Sequence, residues 1–111
     1  MNMVKIYCTD NSELAEFEAS GKGYRSDIFV KTDSGAIYQV YIYDIVRLQQ
    51  DFETEIESDG YFAIEPNLIL VKEVVMSQIR FTIEKLIKQK FFDSLKPIDE
   101  SEVDLNKLLE V

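Results

Sequence analysis

The chain has 111 residues, 46% of them hydrophobic, with a formal charge of −9, one cysteine and no histidine. That length holds one domain (residues 1–111) with one core. The lack of histidine removes the commonest general base, nucleophile activator and zinc ligand, so no enzyme, metal or cofactor is expected. Twelve Lys and Arg against 21 Asp and Glu argue against nucleic acid, whose phosphates need cations clustered on one face, and suit a basic protein partner instead.

No apolar run nears the roughly 20 residues of a spanning helix, and residues 1–10 lack a signal-peptide layout, so a cytoplasmic protein without membrane contact is expected. Residues 3–9 read as a strand with Val4, Ile6 and Cys8 on one face and Lys5 and Tyr7 on the other, which makes Cys8 a small core hydrophobe. Ser12 can cap a short helix through Ser20, but Leu14 and Phe17 form only a weak stripe, and the structure of residues 10–26 stays open. Gly21, Lys22 and Gly23 read as an exposed loop.

Residues 27–32 and 36–43 flank Asp33, Ser34 and Gly35, the pattern of a β-hairpin. Tyr38, Val40 and Ile42 alternate with Ile37, Gln39, Tyr41 and Tyr43, so something other than the main helix can cover the second face. From Asp44, a plausible N-cap, Ile45, Leu48, Phe52 and Ile56 fit a helical stripe. Phe52, Thr54 and Ile56 also alternate with Asp51, Glu53, Glu55 and Glu57, as in a strand with one acidic face, so helix is expected over 44–52 and the remainder is open.

Residues 61–64 and 68–72 read as strands, the second apolar enough to be central, with Pro66 marking a bend between them. Residues 76–92 form the main helix: Ile79, Ile83, Leu86 and Ile87 share a stripe and the opposite face is charged. Phe91 and Phe92 wedge its end into the sheet before Pro97 turns the chain away. Ser101 to Asp104 resembles a capping box for a short C-terminal helix carrying Val103, Leu105, Leu108 and Leu109. The expected fold is α+β: one domain, an antiparallel or mixed sheet of four to five strands covered on one face by helix 76–92.

The charge is unevenly placed. Over residues 44–65 seven acids face one cation, Arg47, whereas residues 72–96 carry six cations against three acids. The two blocks can face each other within the fold or across a homodimer. Asp51, Glu53, Glu55, Glu57 and Asp59, with Tyr61 beside them, are the candidate partner-binding residues, gathered in this reading on one exposed patch.

Two stretches, YDIVRLQQDFETEI and GYFAIEPNLILVKEVVMSQIRFTIEKLIKQKFFDSLKPI, together resemble a group of small bacterial domains. The shared marks are Asp44-x-x-Arg47-Leu48, a glycine, the Glu65-Pro66 strand entry, the apolar strand, and the close Phe91-Phe92-x-x-Leu95-x-Pro97. Relatives of this kind often carry Pro at the position of Ile45 and Thr near that of Val75. The resemblance is to immunity proteins of bacterial toxin systems. It implies a protein that inhibits a basic toxin effector domain, such as a nuclease, and it supplies no catalytic residue. A structural or regulatory homodimer without a toxin is the alternative.

Overall fold

The computed structural model describes residues 4–111, so Met3, placed at the start of the first strand, lies outside the described residues. Among these residues the elements run β1 (Val4–Cys8), α1 (Glu13–Lys22), β2 (Tyr24–Thr32), β3 (Ile37–Tyr43), α2 (Ile45–Asp59), β4 (Leu68–Leu70), α3 (Met76–Lys88) and β5 (Leu109–Glu110). The strands form one mixed sheet in the order β4-β3-β2-β1-β5, antiparallel except for the parallel pairing of β3 with β4. This is the expected α+β architecture. No helix among the described residues is long and apolar enough to cross a membrane.

Period-two alternation puts Ile6 and Cys8, Ile28 and Val30, and Tyr38, Val40 and Ile42 on one face, where α3 covers them with the fully buried Ile79 and Ile83. Cys8 is a core hydrophobe, and burial pushes its thiol pKa up. The hairpin between β2 and β3 forms as the Asp-Ser-Gly turn requires, with Gly35 at φ +89°. The main helix ends at Lys88, four residues short of the sequence reading. A turn of 3₁₀ helix (Phe91–Ser94) follows and drives the buried Phe92 edge-on against Tyr38, with ring centroids 5.3 Å apart.

Several local expectations are corrected. The apolar run of β4 is not central: it is the sheet's edge, three residues long, with Ile69 buried toward the core and Leu70 half-exposed. Its apolar character continues instead through Val71 and Val74, which are buried on the way into α3. Residues 61–64 form no strand. Gly21 and Lys22 are not in a loop but in the last turn of α1, and Gly23 caps that helix in the left-handed region at φ +78°. The expected C-terminal helix appears as two single 3₁₀ turns, Glu100–Glu102 and Leu105–Lys107, each opened by an aspartate (Asp99, Asp104) that accepts the N–H two residues on. Ile98 bridges to Ile37 at one side of the sheet and Leu109 pairs with Cys8 at the other, so the intervening segment runs from one side of the sheet to the other, and Ile37 and Tyr7, on the face away from α3, are buried.

Two side-chain devices tie α1 and the loop before it to this frame. Val75 precedes α3 without offering a side-chain cap, and the Glu16 carboxylate of α1 accepts the N–H of Met76 in its place. Arg25, 6% exposed, donates through Nε to Asp27 Oδ1 at 2.7 Å and through Nη2 to the Asp10 carbonyl, while Asp27 also accepts the Thr9 N–H and hydroxyl at 3.1 and 2.7 Å. Burial would raise the Asp27 pKa, but the hydrogen bonds from Arg25 and Thr9 and the guanidinium charge outweigh it and hold the carboxyl below its ordinary value.

Candidate docking helix

Helix α2 starts where the sequence signal is strongest. Asp44 is in extended conformation, its Oδ1 accepts the Arg47 N–H at 2.8 Å, and its own N–H is donated to the Gly23 carbonyl at 2.8 Å. Gly23 must lack a side chain here, because a Cβ would lie 2.7 Å from Asp44 Oδ1 and 2.9 Å from the Arg47 Cβ. Arg47 completes the joint: its guanidinium carbon sits 4.3 Å from the Tyr24 ring centroid and its Nε donates to Asp51 at 3.0 Å. The helix then continues unbroken to Asp59, and Gly60 closes it at φ +79°. This settles the helix-or-strand ambiguity past Phe52 in favour of helix.

No residue of α2 is buried, which is unusual for a helix of 15 residues with a strong apolar stripe. Ile45, Leu48, Phe52 and Ile56 fall within an arc of about 80° on the helical wheel. Ile45 remains 62% and Phe52 49% exposed, the latter touched edge-on by Phe62 at 6.2 Å. The radius of gyration is 14.4 Å, against about 13 Å for a compact chain of this length.

The candidate carboxylates therefore do not form the single patch expected from the sequence. Helical periodicity splits them, with Asp51, Glu55 and Asp59 in one row at i, i+4 and i+8, and Glu53 and Glu57 in another on the far side of the apolar stripe. Asp51 is partly neutralised by Arg47, whereas Glu53, Glu55, Glu57 and Asp59 have no cation within ion-pair distance among the described residues. Hydrogen bonding and repulsion between Glu55 and Asp59, one turn apart, raise the Glu55 pKa. At the root of the helix, burial and the Asp51 carboxylate push the Tyr43 phenol up. Tyr61, 68% exposed, stands just beyond the Gly60 cap, next in sequence to the last of the acids.

The geometry unites the candidate acids with residues that the sequence reading left out of the site. Ile45, Phe52 and Ile56 were visible as a stripe, and a stripe ordinarily means burial against the same chain. Here Leu48 is half-buried, while Ile45 is exposed and Phe52 and Ile56 are half-exposed, leaving a partly open apolar ridge between two rows of carboxylates. Comparison with protein families, curated proteins and solved structures finds no match for the chain.

Proposed function

We propose that the chain is a non-enzymatic binding protein of the immunity kind, which inhibits a basic toxin effector domain by presenting α2 to it. The supporting observation is that no residue of α2 is buried although the helix keeps an amphipathic pattern: Ile45 is exposed and Phe52 and Ile56 are half-exposed, bracketed by carboxylates that are mostly without internal cations. Surface helices acquire such stripes by burying them, so a stripe left open is complementary to something outside the chain. The carboxylate rows suit a partner whose apolar cleft is rimmed by Lys or Arg. They speed encounter with it at low ionic strength, and Tyr61 adds an exposed aromatic anchor beside the helix end.

The test is co-expression with each basic protein that the neighbouring open reading frames encode, with growth as the readout. Protection by the wild type, lost on combining Phe52→Ser with Glu53→Lys and Glu57→Lys while the fold persists by circular dichroism, supports the proposal. Growth arrest with the wild type, or protection that survives the triple change, contradicts it.

A further inference from the structure

A second helix leaves an apolar side chain in solvent, and its surrounding charge is the reverse of that on α2. The outward face of α3 carries Phe81, 58% exposed, with Lys85 Nζ 5.5 Å from its ring centroid and Lys88 a turn further along. Phe81, Lys85 and Lys88 are at i, i+4 and i+7 and so share a face opposite the buried Ile79 and Ile83. The ion pair on this helix, Arg80 with Glu84 at 3.6 Å, involves neither lysine. Among the described residues no ion pair joins α2 to α3, so the two complementary faces do not satisfy each other within one chain.

We infer that two copies of this chain associate, with α2 of each lying along the outward face of α3 of the other. Glu53 and Glu57 are one turn apart, as are Lys85 and Lys88, so two carboxylates can meet two ammonium groups while Phe52 and Ile56 cover Phe81. A two-fold operator makes this contact twice. Two short helix-on-helix contacts sit at the small end of interface sizes, and both copies carry −9, so the dimer is weak and concentration-dependent. The inference does not rest on the inhibitory reading. It uses the same α2 face, so a copy and a cationic partner compete for it.

Salt alone is a poor probe, because screening weakens both the local attraction and the repulsion between two acidic chains. Sedimentation equilibrium on the full chain, from micromolar to millimolar concentration, is expected to show the mass rising to a plateau at two copies. Lys85→Glu with Lys88→Glu, or Glu53→Lys with Glu57→Lys, is expected to weaken association at least about tenfold. A one-to-one mixture of these two variants restores opposite charge at both contacts and is expected to dimerise within about threefold of the wild type. Each double reversal shifts the charge by four, so both variants remain net negative and bulk attraction cannot account for the rescue. Phe81→Ser, an exposed substitution, tests the apolar part with little risk to folding. A monomer at every concentration, a mass climbing past two without a plateau, a dimer indifferent to these variants, or a mixture that fails to recover would each overturn the inference. Failure here leaves the growth-protection result free to stand, and loss of growth protection leaves the dimer free to stand.

Discussion

Replacing Glu16 with alanine removes the one side chain that, among the described residues, caps α3, although it lies 60 residues away on another helix. The loss has two parts. An N-terminal cap is worth about 1 kcal/mol, and a carboxylate at the positive end of a helix about 0.5 kcal/mol. Because Val75 offers no local substitute, the two add to about 1.5 kcal/mol. At about 5 °C per kcal/mol for a domain of this size, the melting temperature falls by about 7 °C. Glu16→Gln keeps an acceptor and removes only the charge, so it should lose about 0.5 kcal/mol. Urea unfolding followed by circular dichroism measures both, with an unchanged m-value showing that the difference lies in stability. Val75 is already in the extended conformation of an N-cap, at φ −129° and ψ 151°, so Val75→Thr can cap α3 locally and should recover most of the loss in the Glu16→Ala background. The reasoning is refuted if Glu16→Ala stays within about 0.3 kcal/mol of the wild type, or if Val75→Thr helps the wild type as much as it helps the variant.

Three further outcomes follow from the same structure. Ile83→Ala opens a cavity beneath α3 and costs about 3 kcal/mol, whereas Ile45→Ser on the exposed ridge changes stability by less than about 0.5 kcal/mol; chemical denaturation separates the two directly. Gly23→Ala costs about 2 kcal/mol or more, because strain at positive φ is joined by the collision with Asp44. Gly60→Ala, with nothing near its added Cβ, costs only about 1 kcal/mol, so thermal melts should rank Gly23→Ala well below it. Arg25→Met strands the partly buried Asp27 and costs about 3 kcal/mol near neutral pH. Since the folded pKa of Asp27 lies below its ordinary value, its contribution is full above the unfolded carboxylate range and is lost as pH falls through the folded value. The variant should therefore show a shallower acid limb in stability against pH.

The parts of the fold that were legible carry one dominant signal. Helix α3 announces itself because Ile79 and Ile83 must face the sheet while its cations stay in water, and the β2–β3 hairpin because Gly35 permits the turn. Where two periodicities overlap, the signal is ambiguous: Phe52, Thr54 and Ile56 alternate as a strand would, yet with Ile45 and Leu48 they also form a helical stripe. Helix α1 was weak in the sequence because it buries only Ala19 and carries a glycine in its last turn, and it is anchored by Ser12, Glu16 and Gly23 rather than by apolar packing. The edge placement of β4 was hidden because a run covered from one side and continued by Val71 and Val74 looks the same as a run buried on both. As for the site, the acids and Tyr61 could be named from the sequence, but their division into two rows depends on the helix continuing past Phe52. The exposure of Ile45 and Phe52 depends on how little of the rest of the chain packs over α2, which no local pattern encodes.

The most direct measurement is calorimetric titration of this chain into a basic effector domain against which it protects growth, comparing the wild type with the Phe52→Ser, Glu53→Lys, Glu57→Lys triple variant. If α2 is the docking element, the wild type binds one-to-one and the variant loses affinity by about a hundredfold with an unchanged melting temperature. Equal affinity for the two proteins would place the contact elsewhere and contradict the account.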